Sequence, residues 1–108
     1  MKGEIYLVDI PSNQGREQEG LRPVVLLSNI NAGIVSVVPF TLNFHALKYS
    51  YTLKVESSKE NGLRKDSVAL IFQLRAIDMK KLKSKIGIIE QDMMRKFEFL
   101  IKKLFDLE

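Results

Sequence analysis

The chain of 108 residues contains no cysteine and only one histidine, His45. The missing thiols exclude disulfides, thiolate metal sites and cysteine nucleophiles. A single histidine, in the loop-like segment TLNFHALKY, gives no basis for a zinc motif or a Ser-His-Asp triad and is typical of a surface residue. Four of the five aspartates are scattered without metal-site spacing; they are Asp66, Asp78, Asp92 and Asp106. We therefore expect neither a metal nor another cofactor.

Long hydrophobic runs and phosphate-binding glycine motifs are also missing. The N-terminal MKGEIYLVDI has only a short apolar stretch, interrupted by Asp9 and followed by Pro11. Such a segment predicts neither a signal peptide nor a membrane span. Together with the absence of cysteine, this pattern favours a cytoplasmic protein without a membrane partner.

The composition is that of a small globular domain. Hydrophobic residues make up 45% of the chain, enough for a core, and we expect one domain over 1–108. The formal net charge of +4 suits a polyanionic partner, because each neutralised phosphate releases counterions. The same excess is also typical of ordinary solubility charge.

Period-two patterns dominate the first three quarters of the chain and predict short strands. Gly and Asn mark turns between them, in NINAG and in KENGL. The predicted strands are Glu4–Ile10, Val24–Ser28, Ile34–Phe40, Tyr51–Val55 and Ser67–Leu74. In the last of them, Val68, Leu70 and Phe72 are expected on one face.

The last quarter changes period. MKKLKSK predicts a short helical turn and KIGII one more strand, and from Glu90 an apolar stripe predicts a helix over about 90–107. The stripe comprises Met93, Phe97, Leu100, Ile101, Leu104 and Leu107. A strand-rich 1–89 followed by this helix predicts an α+β, mainly β fold, a small curved or barrel-like antiparallel sheet with the amphipathic helix packed on it. Phe99 and Phe105 lie off the stripe and suggest a second buried face, hence a dimer.

A very polar segment, GREQEGLRP (Gly15–Pro23), lies between two apolar runs. Gly15 and Gly20 let the backbone bend sharply and approach a ligand. Acceptors and an amide suited to reading base edges lie between them; they are Glu17, Gln18 and Glu19. Pro23 keeps Arg22 extended, and a guanidinium held there can bind two phosphate oxygens. The alternative is a solvated loop with a weak surface ion pair.

Several segments, in this order, resemble the MazF/PemK family of toxin endoribonucleases. They are KGEIYLVDI, GREQEGLRPVVLLSN, VVPFT, LRKDSVALIFQLRAID and KIG before a final helix. The most specific match is G-x-E-Q-x-G-x-R-P-V-[LV] over Gly15–Val25. A second, independent match is Q-x-R-[TA]-I-D at Gln73–Asp78.

This resemblance implies a fold similar to SH3-like barrels with appended helices, and a homodimer. It implies sequence-specific, metal-independent cleavage of single-stranded RNA or mRNA, and a cognate MazE-like antitoxin whose C-terminal segment covers the active groove. The essential residues of the family match Arg22 and Thr41. In such a reaction the 2′-hydroxyl attacks the adjacent phosphorus, and the products carry a 2′,3′-cyclic phosphate and a 5′-hydroxyl. Arg22 would stabilise the non-bridging oxygens and Thr41 would hold the phosphate.

The sequence departs from the family pattern near these residues. Arg16 replaces a histidine that is a candidate base in the PemK-like branch, and Glu17 or Glu19 is a conceivable substitute. Arginine stays protonated, so it cannot act as the base. Phe72 stands where many relatives carry an acidic residue, and Phe40 is bulkier than the usual aliphatic residue.

The candidate RNA-binding residues are Arg16, Glu17, Gln18, Glu19, Asn43, Lys65, Gln73 and Arg75. Leu42–Ser50 matches no familiar pattern and is expected to set base preference. For Arg75 an equal alternative is an ion pair with Asp78 that ties a strand end to its neighbour. For Lys65 the alternative is a solvated turn.

Two other functions remain open at this point. One is a non-catalytic protein poison on the same fold, like the gyrase-binding CcdB, because a fold does not determine a function. The other is a nucleic-acid-binding regulator without catalysis, which the charge alone favours.

Overall fold

A computed structural model describes residues 1–9 and 20–107 of the chain. Within them the strands are β1 (Glu4–Val8), β2 (Arg22–Leu26), β3 (Ile34–Thr41), β4 (Thr52–Val55), β5 (Ser67–Leu70), β6 (Arg75–Asp78) and β7 (Leu82–Ile88). The α-helix α1 spans Gln91–Leu104, and 3-10 helices occupy Phe44–Lys48, Ile71–Gln73 and Met79–Lys81. In the described part of the chain, no helix is long and apolar enough to cross a membrane.

All strand pairs are antiparallel and form one strongly curved sheet in the order β4-β5-β3-β2-β1-β7. β6 lies off this path and pairs with β3. The predicted class, a mainly β α+β fold with a curved antiparallel sheet and a C-terminal helix, is confirmed. The order ends at β4 and β7, so the sheet is curved without being closed.

The prediction of one strand over Ser67–Leu74 was wrong. β5 ends at Leu70, a 3-10 helix follows, and β6 begins at Arg75. The two strands pair with the same edge of β3, and the register between them shifts by the three residues of the 3-10 helix. This interruption removes Phe72 from the face of Val68 and leaves it exposed.

Two apolar clusters lie on opposite faces of the sheet, because neighbouring residues of a strand alternate between its faces. The larger cluster packs under α1 around the buried Phe97 and includes Ile5, Val25, Val38, Phe40, Ala69 and Ile71. The smaller one comprises Val8, Val24, Leu26, Val35, Val37 and Ile77. The stripe of α1 packs on the larger cluster as predicted, except that Leu107 lies beyond the helix end and is exposed. Asp106 just before it has a φ of +58°, which carries the chain out of the helical path.

A close contact joins β7 to the turn at residues 58–62. A Cβ on Gly87 would lie 2.3 Å from the carbonyl carbon of Asn61, and a Cβ on Gly62 would lie 1.9 Å from the oxygen of Ile86. Only glycine lets the two backbones approach this closely. The turn predicted at Asn61-Gly62 therefore packs directly against the backbone of β7.

Candidate functional site

Arg22 and Thr41 lie at the same end of two neighbouring strands. β2 and β3 pair at Leu26–Val37, Val25–Val38 and Val24–Pro39, and Arg22 and Thr41 each lie two residues beyond the last of these pairs. Because side chains alternate along a strand, both residues belong to the face of Val24 and Pro39. Both residues are half-buried. The sheet thus places a guanidinium and a hydroxyl on one face, at the same end of β2 and β3.

The Thr41 hydroxyl is oriented by the backbone that follows it. Its Oγ1 accepts a hydrogen bond of 3.2 Å from the Asn43 N–H. The Asn43 Oδ1 in turn accepts one of 3.0 Å from the His45 N–H and caps the 3-10 helix Phe44–Lys48. Because the oxygen is used as an acceptor, the hydroxyl proton is directed elsewhere and can be donated to an anionic oxygen.

Further cations share the face of Arg22 and Thr41. Thr41 pairs with Val68 on β5, and Val68 pairs with Lys54 on β4. Arg75 pairs with Val37, four residues before Thr41 on the same face of β3. Sequence reasoning missed Lys54, because only the pairing of β4 with β5 brings it into this row.

Gln73 lies in the 3-10 helix between β5 and β6, and thus along the edge of β3 between Thr41 and Val37. Gln73 and Arg75 are both exposed. Within the described residues Arg75 and Asp78 form no ion pair, and the Asp78 Oδ1 accepts a hydrogen bond from the Lys80 N–H instead. The structure therefore groups Gln73 and Arg75 with Asn43 around the pair Arg22–Thr41.

Lys65 lies elsewhere, at a cavity of about 520 Å³ on the opposite face. Leu21 and Pro23 line this cavity, so Arg22 between them faces away from it. The other lining residues are Leu7, Leu42, Gly62, Leu63, Arg64, Ser67 and Ile86. The structure thus separates Lys65 from the other described candidates.

The predictions for Arg16, Glu17, Gln18 and Glu19 lie outside the described residues. Among those that the structure does describe, no three or more histidines, aspartates or glutamates lie close enough together to hold a metal ion. The sequence stretches that contain most of these candidate residues lack carboxylates. No Asp or Glu occurs in the sequence between Glu19 and Glu56 or between Asp66 and Asp78. Those two stretches contain Arg22, Thr41 and the cations around them, so the face suits a polyanion.

A family model described as "PemK-like, MazF-like toxin of type II toxin-antitoxin system" matches residues 1–105. The chain belongs to this family. Toxins of the MazF/PemK family are endoribonucleases.

Solved structures of MazF proteins have the same fold. The Mycobacterium tuberculosis toxin MazF-mt6 is 20% identical with a TM-score of 0.76, and the match covers 97% of this chain and 98% of that one. MazE-MazF from Deinococcus radiodurans gives 20% identity and a TM-score of 0.74, over 99% and 96%. An endoribonuclease in complex with its cognate antitoxin from a mycobacterial species gives 16% and 0.71, over 100% and 94%.

Proposed function

We propose that this MazF/PemK-family chain is a sequence-specific endoribonuclease that cleaves single-stranded RNA without a metal ion. The observation that carries the proposal is that Arg22 and Thr41 share one face of the sheet, each two residues beyond the pair Val24–Pro39. Together they offer a fixed positive charge and a hydroxyl donor to one phosphate. The sequence stretches 20–55 and 67–77, which hold Arg22, Thr41 and Arg75, contain no Asp or Glu, and this suits the approach of a polyanion.

The proposed reaction is an in-line displacement within the RNA. The 2′-hydroxyl oxygen bonds to the adjacent phosphorus as its proton leaves, and the bond from phosphorus to the 5′-oxygen breaks. The 5′-oxygen takes up a proton and becomes a hydroxyl, while the other fragment ends in a 2′,3′-cyclic phosphate. Negative charge grows on the non-bridging oxygens, where one preorganised donor lowers the barrier by about 3–4 kcal/mol.

Arg22 is assigned to those non-bridging oxygens, because its planar fork binds two of them at once. Thr41 is assigned to the same phosphate through its hydroxyl proton, since its oxygen already accepts from Asn43. Asn43, Gln73 and Arg75 are proposed to contact the flanking nucleotides. Arg22 itself is excluded as the base, because a guanidinium stays protonated.

The proposed partners are those that fit a toxin of this family: a cognate MazE-like antitoxin whose C-terminal segment covers the groove, and a second copy of the chain. Phe99 and Phe105 are exposed on the C-terminal segment, which suits a homodimer with further apolar burial. Cytoplasmic action on mRNA, and hence inhibition of translation and growth, completes the proposal.

Cleavage of a long single-stranded RNA in EDTA, with mapping of the new ends, tests the proposal. We expect cuts at a short recurring sequence, with 5′-hydroxyl ends. Arg22→Ala and Thr41→Val should each slow cutting by about 100-fold or more, whereas Thr41→Ser should retain most of the rate because it keeps the hydroxyl. RNA that stays intact with the wild-type chain refutes the nuclease. Inhibition of gyrase in that case would favour the protein poison, and RNA binding without cutting would favour the regulator.

A further inference from the structure

Three exposed aromatic rings form a surface patch with two lysines beside Thr41. Phe44, Tyr49 and Phe72 are 41%, 54% and 41% exposed. The rings of Tyr49 and Phe72 lie 6.0 Å apart between centroids, tilted by 60°. The Lys48 Nζ lies 5.2 Å from the centre of the Tyr49 ring, and the Lys54 Nζ lies 5.7 Å from that of Phe44. We call these five residues the aromatic–lysine patch.

The patch is continuous with the candidate site. Phe44 begins the 3-10 helix whose cap, Asn43, is hydrogen-bonded to Thr41. Lys54 lies two strands from Thr41 in one row of the sheet, a Cα separation of about 10 Å at the usual strand spacing. Phe72 directly precedes Gln73 in its 3-10 helix. A strand of nucleic acid with a phosphate at Thr41 can therefore reach these rings.

Hydrogen bonds fix the backbone that carries two of the rings. The Thr52 hydroxyl donates a hydrogen bond of 2.9 Å to the carbonyl of Tyr49. The Phe72 N–H donates one of 3.2 Å to the carbonyl of Tyr51, which has a φ of +62°. A non-glycine residue in this region is strained, so the surrounding contacts hold this bend. The backbone beneath Tyr49 and Phe72 is thus ordered before a ligand binds.

The positive charge of the aromatic–lysine patch favours an anionic ligand. The patch lies in the two stretches without Asp or Glu, and the carboxylate nearest to it in sequence is Glu56, two residues after Lys54. Phe99 offers a contrast on α1: Lys103 lies 5.3 Å from its ring centre, but Glu98 is its direct neighbour in sequence. Aromatic faces with an excess of cations beside them match nucleobases joined by phosphates, because every base has a face that stacks.

We propose that the aromatic–lysine patch binds the bases of single-stranded RNA by stacking, on the nucleotides next to the phosphate held by Arg22 and Thr41. Tyr49 and Phe72 are the stacking surface, and Lys48 and Lys54 pair with the backbone phosphates. The choice of RNA as ligand rests on the proposed function. The patch itself rests on the rings, the lysines and their place beside Thr41.

The test measures binding separately from cutting. The probe is a fluorescein-labelled single-stranded RNA of mixed sequence, about 12 nucleotides long, with fluorine in place of each 2′-hydroxyl so that no nucleophile remains. A second probe of equal length lacks bases over its central nucleotides. Fluorescence anisotropy with the wild-type chain, Tyr49→Ala, Phe72→Ala, Tyr49→Phe and Phe72→Tyr gives the dissociation constants. Ile88→Ala is the control for loss of an exposed apolar side chain, because Ile88 is 45% exposed on β7, at the end of the strand order away from β4. Thermal unfolding verifies that each variant is folded.

We expect Tyr49→Ala and Phe72→Ala each to weaken binding of the full probe about tenfold, the loss of one stacked base. The two conservative variants and Ile88→Ala should bind like the wild type. On the probe without bases, the alanine variants should lose no affinity relative to the wild type. This dependence on the base separates stacking from a general structural effect.

Equal binding by wild type and alanine variants overturns the patch, as does a loss that is the same with and without bases. Unchanged RNA binding with weakened antitoxin binding, or with dissociation of the dimer in light scattering, would assign the surface to a protein and also overturn it. If the wild type cuts RNA and the patch variants bind it normally, the proposed base-binding role of the patch is refuted while the proposed nuclease function is supported. If RNA binds through the patch but is not cut, the proposed nuclease function is refuted while base binding by the patch is supported. A wild type that binds no RNA overturns both.

Discussion

Replacing Asn61 with alanine should lower the free energy of unfolding by about 3 kcal/mol, although this residue lies in a turn. Its side chain is fully buried and hydrogen-bonded on both of its polar atoms. The Oδ1 accepts from the N–H groups of Ser58 (3.0 Å) and Leu63 (2.9 Å). The Nδ2 donates to the carbonyl of Glu56 (2.9 Å) and to the carboxylate of Glu90 (3.3 Å).

The magnitude follows from which of these groups water can reach. Leu63 is buried, so its N–H would lose its partner without gaining a water molecule, at a cost of about 2 kcal/mol. Glu56 is exposed and Ser58 is half-buried, so their backbone groups recover most of their bonding from water and add about 1 kcal/mol together. Glu90 keeps its hydrogen bond from the Ser58 hydroxyl, which limits its loss.

Urea and thermal unfolding of the wild type and Asn61→Ala provide the assay. A loss of about 3 kcal/mol corresponds to a fall in Tm of about 10–20 °C for a domain of this size. Asn43→Ala is the matched control, because its Oδ1 accepts a single N–H on an exposed 3-10 helix, and should cost about 0.5–1 kcal/mol. Equal stability of the two variants would show that water satisfies the turn and that the reasoning from burial is wrong.

Three further predictions concern packing and charge. Gly87→Ala should lower the free energy of unfolding by about 3 kcal/mol or more, because the new Cβ would lie 2.3 Å from backbone atoms of the neighbouring turn. Gly33→Ala, at a φ of +80° but in open space, should lower it by only about 1 kcal/mol. Urea unfolding compares the two variants. Phe97→Ala should cost about 3–5 kcal/mol in the same assay, since this fully buried ring anchors the helix. The hydrogen bond from Lys85 lowers the pKa of Glu4, so Glu4 stabilises the fold above its unfolded pKa of about 4.3 and loses this effect as pH falls through the folded value. Glu4→Gln should therefore lower the free energy of unfolding by about 0.5 kcal/mol at neutral pH, a small figure because Lys85 is partly exposed. The substitution should cost nothing once the pH is below the folded pKa of Glu4, and a cost that persists in acid would contradict this assignment.

The sheet and its final helix could be predicted because their patterns are local. Alternation in β4 and the stripe of α1 around Phe97 report which side chains are buried, and both predictions agree with the structure. The break after Leu70 could not be predicted in this way. It exists because β5 and β6 share one edge of β3 with a shift of three residues, and apolar Ile71 and Phe72 look like more strand.

The candidate site shows the same division. Sequence motifs identify Arg22 and Thr41, but only the register of β2 with β3 shows that both lie at the same end of the two strands. Lys54 and Phe72 were not predicted near the site, because only the pairing of strands places them there. Lys65 was predicted at the site but lies on the opposite face of the sheet, because side chains alternate along β2. Asn61 looked like an ordinary turn residue, because its bonds to Glu90 cross 29 positions of sequence. Pairings over such distances leave no local pattern to read.

The most direct measurement of the central claim is a double-mutant cycle between Arg22 and Thr41 in single-turnover RNA cleavage. If both residues act on one phosphate, each of Arg22→Ala and Thr41→Val slows cutting by about 100-fold or more. The double variant is then slowed much less than the product of the two effects, with a coupling of about 1–3 kcal/mol. Losses that simply multiply, or single variants that cut at the wild-type rate, would contradict the account.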